Sequence, residues 1–183
     1  MKTLIINGSP RVNGDTAALV RELRAHLSGE VAELSAYRAK LSPCVDCRAC
    51  ARVKGCAIDD DMRAIYGDDF DNAVIASPVY YSTLPGQMMN IASRFQVQRN
   101  AKYELNDPFV LRPKRAGLIL VGGGKGNENG AVRMSAVLFR MMNASGFGAH
   151  TVLSMNTDTV PAAEDETALE GVRSLAVWLN GGE

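Results

Sequence analysis

Four cysteines, Cys44, Cys47, Cys50 and Cys56, share one short stretch with the spacing C-x2-C-x2-C-x5-C. A disulfide framework would spread its cysteines to close long loops. Bunching of this kind points instead to redox or metal chemistry in a reducing compartment. Four thiolates satisfy the ligand need of a [4Fe–4S] cluster, and they also suit zinc. Zinc sites more often use two separated C-x2-C pairs, whereas three close cysteines suit the corners of a cube. A bacterial ferredoxin run would place its last cysteine after three residues and before a proline. Here five residues intervene and Ala57 follows. An iron–sulfur cluster, zinc, and free or redox-labile thiols remain three open readings.

A second constellation lies at Gly8-Ser9-Pro10-Arg11-Val12-Asn13-Gly14-Asp15-Thr16. It offers the hydroxyls of Ser9 and Thr16, the guanidinium of Arg11, and backbone N–H groups where a helix begins. Those are the donors a terminal phosphate needs. The loop is neither G-x-x-x-x-G-K-[ST] nor G-x-G-x-x-G. A plain turn with a helix cap from Asn13 or Asp15 is the competing reading. Two further segments draw notice: Ser77-Pro78-Val79-Tyr80-Tyr81-Ser82, and the glycine-rich run from Gly122 to Gly130, which includes Gly123, Gly124 and Lys125.

The elements that must position these residues follow from periodicity. Residues 3–7, 31–35, 72–77, 116–121 and 149–154 are short apolar runs closed by turn residues, and they read as strands. Residues 14–28, 59–67, 85–97, 130–143 and 164–179 carry apolar residues at helical spacing. Residues 98–114 read as a polar excursion, a lid or subunit contact. The aspartates of 59–71 read as a solvated face, and Arg112, Lys114 and Arg115 as a charged lead-in to the fourth strand. Strand alternating with helix predicts an α/β fold, one open parallel sheet covered on both faces. Such sheets bind ligands beyond the carboxyl ends of their strands, where loops 8–16, 78–84 and 122–130 fall.

The first loop resembles the FMN phosphate loop of the NAD(P)H-dependent FMN reductase family of flavodoxin-like proteins. The 77–82 segment, continuing through Leu84-Pro85-Gly86-Gln87-Met88, resembles that family's second flavin loop. The resemblance implies a flavodoxin-like three-layer sandwich with a five-stranded parallel sheet, order 2-1-3-4-5, formed by residues 1–183 as one FMN-binding domain. By the family pattern Ser9, Arg11, Asn13, Gly14, Asp15 and Thr16 surround the phosphate. Pro78, Val79, Tyr80, Tyr81 and Ser82 line the ring and ribityl chain, and Gly122, Gly123 and Gly124 pass close to the ring. Hydride transfer to a flavin needs no side-chain nucleophile or base, so no catalytic side chain is assigned. The cysteine run resembles the compact motif of iron–sulfur flavoproteins. The implied activity is electron transfer from NAD(P)H through FMN to a quinone, flavin or other small acceptor. The alternative is an iron–sulfur flavoprotein that takes electrons from ferredoxin. A homodimer or homotetramer is expected, because flavin sites in this family are commonly completed by a neighbouring subunit.

Composition sets the outer bounds. The 183 residues suit one large domain. Twenty basic residues balance twenty acidic ones, which gives no footprint for nucleic acid or an anionic membrane. The opening residues turn polar too soon for a signal peptide, and no apolar run reaches membrane length. A cytoplasmic enzyme is expected.

Overall fold

The computed structural model describes residues 1–124 and 126–182. Strands β1 (Lys2–Asn7), β2 (Glu30–Ser35), β3 (Asn72–Pro78) and β4 (Lys114–Val121) pair in parallel in the order β2-β1-β3-β4. The fifth position beside β4 is shared by two short strands, β5 (Ala144–Ser145) and β6 (Thr151–Ser154). The sheet is the expected flavodoxin-like one in the order 2-1-3-4-5, with its last strand broken into two pieces.

The central strands lack the alternation of a one-sided sheet because both of their faces are covered. In β3 every residue from Asn72 to Ser77 is buried. One face packs on α1 (Asp15–His26) and α6 (Glu166–Leu179) through Ile5, Leu19, Leu23, Val74, Ile119, Val172 and Leu175. The other packs on α2 (Arg63–Tyr66), α3 (Gly86–Arg94) and α5 (Asn129–Met141) through Ile6, Ile65, Ile75, Met88, Ile91, Leu118 and Phe139, while α4 (Gln96–Tyr103) packs on the segment around Ala49–Ala51. Each such aliphatic or aromatic side chain contributes about 1.5–3 kcal/mol by leaving water. Together the two layers hold the carboxyl ends of the strands, and so the loops beyond them, in fixed relation.

Three elements differ from the sequence reading. The 85–97 helix is two helices joined at Phe95, whose ψ of −1° leaves helical geometry. Residues 98–103, at the start of the expected 98–114 excursion, therefore belong to the ordered helix α4. The 59–67 helix shrinks to four residues. So short a helix cannot cover the sheet face at β2, and a groove of about 650 Å³ runs there between Ala32–Ser35 and Arg63–Gly67. It lies along the edge strand, apart from the loops at the carboxyl ends. Among the described residues no helix is long and apolar enough to cross a membrane.

Candidate functional site

At the carboxyl edge, β1 runs into the first loop under tight backbone constraint. The Ser9 N–H donates to Asn7 Oδ1 at 2.8 Å, and the Arg11 N–H donates to Ser9 Oγ at 3.2 Å. A Cβ on Gly8 would stand 2.6 Å from Ser77 Oγ and 2.9 Å from Met88 Cγ, so only glycine lets the first and second loops approach. Helix α1 starts at Gly14 with no side-chain cap, contrary to the Asn13 or Asp15 cap considered from sequence. Asp15 turns away to accept the Ala162 N–H at 3.0 Å. The open helix N-terminus thus faces the loop with its dipole and its free N–H groups available to an anion.

Backbone bonds draw the neighbouring loops together. The Val79 N–H donates to the Val121 carbonyl, that of Gly122 to Ser154, and that of Thr157 to Gly122. The result is one cavity of about 150 Å³ lined by Ser9, Arg11, Gly14, Asp15, Thr16, Pro78, Val79, Tyr80, Gly122 and Gly123. A Cβ on Gly123 would fall 2.2 Å from Asp158 Oδ1, so this glycine too is a close approach. Asn13, Tyr81, Ser82 and Gly124 do not line the cavity, and Lys125 lies outside the described residues. Thr157 and Asp158, unforeseen from sequence, do line it. They follow β6, and the carboxyl-end rule applied to every strand instead of three would have found them.

Tyr81 and Ser82 are the central residues of a two-residue turn. Tyr80 and Thr83 exchange backbone hydrogen bonds at 2.9 and 3.0 Å. Both central residues are left-handed, with φ of 49° and 61°. This is a turn that favours Asn-Gly, built here from residues without that freedom. Tyr81 is fully exposed at its tip. Strain of this kind clusters at ligand clamps and switch regions.

The cysteines form a second centre. Cys44, Cys47, Cys50 and Cys56 line one cavity of about 20 Å³ together with Arg94, Gln96, Val97 and Asn100. Asp46 and Arg48, between the first three cysteines, adopt left-handed φ of 48° and 57°. Asn100 Nδ2 donates to Cys50 Sγ at 3.2 Å, and the Cys44 N–H donates to Ser93 Oγ at 3.0 Å. Among the described residues no group of three or more His, Cys, Asp or Glu side chains is arranged to hold a metal ion. The thiols therefore share a pocket without standing at ligand distance from a common point. The donor set fits an iron–sulfur cluster in kind and number. A volume of about 20 Å³ holds a water-sized occupant, so a cluster would need this exposed loop to adjust.

Arg94 ties the segment down. Nη1 donates to the Ser42 carbonyl at 2.8 Å and to Asp60 Oδ2 at 2.5 Å. Nη2 donates to the Ile58 carbonyl and to Asp60 Oδ1, both at 3.2 Å. One guanidinium thus holds both flanks of the cysteine run. Burial works to raise the Asp60 pKa, but hydrogen bonds from Arg94, Ser42 and Met62 outweigh it and hold the carboxyl below its ordinary value. Burial likewise works to lower the Arg94 pKa, while Asp60, Tyr66 and Cys56 raise it above the ordinary value. The Asp60 side chain is only 7% exposed, which corrects the reading of 59–71 as a wholly solvated face. A signal was available: Arg94 follows Ile91 by one helical turn on the buried stripe. At the opposite end of the sheet, Arg112 and Lys114 pair with Asp68. Arg115 donates to the Trp178 and Gly182 carbonyls. These three side chains are structural anchors.

The sequence profile of the family described as NADPH-dependent FMN reductase matches residues 1–158. An iron-sulfur flavoprotein from Methanocaldococcus jannaschii is 31% identical over 194 residues, covering 98% of this chain and 94% of the relative. A second iron-sulfur flavoprotein of that organism is 32% identical over 130 residues, covering 68% of this chain and 64% of the relative. The chain thus spans just under two thirds of that second relative. The FMN-dependent NADH-azoreductase of Bacillus anthracis, solved with FMN, superposes with a TM-score of 0.71 at 16% identity, covering 99% of this chain and 100% of that one. That likeness is one of fold.

Proposed function

The chain belongs to the NADPH-dependent FMN reductase family, and from that premise we propose that it binds FMN at the carboxyl edge of the sheet and transfers electrons from NAD(P)H to a small acceptor such as a quinone or a flavin. The observation that carries this reading is the uncapped N-terminus of α1 opening onto a cavity lined by Ser9, Arg11 and Thr16. These residues fit a terminal phosphate, with helix N–H groups, two hydroxyls and a guanidinium as donors. The cavity is smaller than the roughly 300–1,000 Å³ of an enclosed ligand pocket, which suits the phosphate end, with the ring over the open edge at Val79 and Tyr80. Bound FMN supplies the ability to accept a hydride and release its electrons one or two at a time. The protein's part is to orient: Gly122 and Gly123 admit close backbone approach, and the 80–83 turn and Asp158 border the ring side.

The test is anaerobic. Purified protein with FMN is expected to lose its flavin absorption on adding NADH or NADPH. A flavin band that persists with both nucleotides overturns the nicotinamide assignment.

A second reading, an iron–sulfur flavoprotein that takes electrons from ferredoxin, is favoured by the convergence of all four cysteines on one cavity. In it Cys44, Cys47, Cys50 and Cys56 hold one [4Fe–4S] cluster. Anaerobic reconstitution is expected to give about four irons and four sulfides per chain, lost in Cys47→Ala. Reduction of the bound flavin by NADPH but not by reduced ferredoxin rejects the carrier role. Residues 1–183 act as one cytoplasmic domain and assemble as a homodimer or homotetramer.

A further inference from the structure

One residue in the wall of the cysteine cavity, Arg94, has a buried donor with no partner among the described residues. Arg94 is 2% exposed, and its Nη1 and Nη2 are engaged by Ser42, Ile58 and Asp60. Its Nε is buried with no hydrogen-bond partner among the described residues, although the side chain forms part of the wall around the four thiols. A buried N–H left without an acceptor is costly, the more so on a charged group. Such a donor persists where the structure serves an acceptor that binds there. Next to it Asn100, 6% exposed, already donates Nδ2 to Cys50 Sγ at 3.2 Å. The Asn100 carbonyl oxygen is held by Arg99 Nη1 at 3.0 Å, which fixes the amide with its donor end toward sulfur.

We infer that Arg94 and Asn100 form a positioning pair for the cysteine-held group, donating N–H bonds to anionic sulfur and raising the reduction potential of the cluster there. The inference rests on the second reading above, in which the cysteines hold a [4Fe–4S] cluster. Its physical basis is simple. Reduction adds one negative charge to the cluster, and donors aimed at sulfur stabilise that charge. The Arg94–Asp60 pair is neutral as a whole, so the Nε–H dipole, not net charge, delivers the Arg94 effect. The same guanidinium fixes the carbonyls on either side of the run, and so sets where the thiols stand.

The experiment compares the full chain with Asn100→Leu, the double variant Arg94→Met with Asp60→Asn, and Cys47→Ala. The double variant removes the Nε donor without stranding a buried carboxylate, which a single Arg94 substitution would do. Each protein is reconstituted anaerobically with iron and sulfide and assayed for both. The midpoint of the one-electron cluster couple is then read by dithionite titration with paramagnetic resonance detection. The native chain and Asn100→Leu are expected to load equally, while the double variant, which also loses the clamp on the run, is read for its midpoint on the share that loads. Each donor variant is expected to shift the reduced-to-oxidised ratio at fixed potential about tenfold toward oxidised, a fall of about 59 mV. Unchanged midpoints on the loaded share overturn the donor role and leave the cluster standing. A native chain that takes up no more iron than Cys47→Ala overturns the cluster, and the donor role with it. If the double variant loses FMN binding as a sign of misfolding, Asn100→Leu alone decides, since it alters no ion pair.

Discussion

Among the described residues Arg11 is the cation in a cavity that also presents the hydroxyls of Ser9 and Thr16 and the carboxylates of Asp15 and Asp158, and its place follows from the Ser9–Asn7 bond that sets the loop before it. Arg11→Ala is expected to weaken FMN binding by about 1.5–3 kcal/mol, the range for a hydrogen bond to a charged group. Calorimetry of the apoprotein reads this directly, and an unchanged dissociation constant removes Arg11 from the phosphate. At this scale the site was legible wherever chemistry is local. Ser9, Arg11, Gly14 and Thr16 announce an anion site by type and spacing, and four close cysteines announce themselves. Arg94, Asn100, Thr157 and Asp158 carry no such local mark. Their roles depend on which distant loop they meet, and that is settled by tertiary packing.

The 80–83 turn bears backbone strain at the rim of the site. Tyr81 and Ser82 hold left-handed angles that cost L-residues roughly 1–2 kcal/mol each. The paired substitution Tyr81→Asn with Ser82→Gly supplies the residues such a turn favours. It is expected to raise the urea midpoint of the apoprotein, by about 1–2 kcal/mol in stability. The same change is expected to lower FMN affinity, because the tyrosine at the tip is lost. A variant that gains stability and keeps full affinity would show that the turn does not serve the cofactor. Helix α3 begins soon after this turn at Gly86 and ends at Arg94, so one element reaches from the flavin loops to the cysteine pocket. Periodicity found the helix because Met88 and Ile91 mark its buried face. It could not find the break at Phe95, where both sides stay apolar and the step is set by docking on the cysteine segment.

Across the whole molecule, alternating apolar runs made the strands and the parallel sheet readable, because central parallel strands are buried on both faces, while the strand order came from the family resemblance. The broken fifth strand was not readable, since residues 146–150 leave the ladder to bring His150 against Trp178, with ring centroids 4.4 Å apart and nearly parallel. Burial first, then the nearby Arg115, holds the His150 pKa below its ordinary 6.5. The folded state therefore favours the neutral ring. This stabilisation is complete above about pH 6.5 and is lost as pH falls through the lower folded value. His150→Phe keeps the stack and is expected to flatten that acid-side decline in urea unfolding at pH 7.5 and pH 5. An equal decline in both proteins would place the titration elsewhere. At the level of assembly, a mass of at least two chains is expected in light scattering at micromolar concentration, with the exposed Tyr81 near the contact. A monomer mass overturns this.

The clamp on the cysteine segment also has a consequence in time. Synthesis runs from the N-terminus, and Arg94 follows Cys56 in the chain by 38 positions, 94 minus 56. At about 5–20 residues per second, translation needs about 2–8 s to add that length. During this interval all four thiols have been made, while the helix that will tie down their flanks has not. The nascent chain thus passes through a stage at which its cysteines are open to oxidation or to stray metal ions. A slower ribosome between codons 57 and 94 would lengthen that exposure and lower the share of chains that mature with the segment intact.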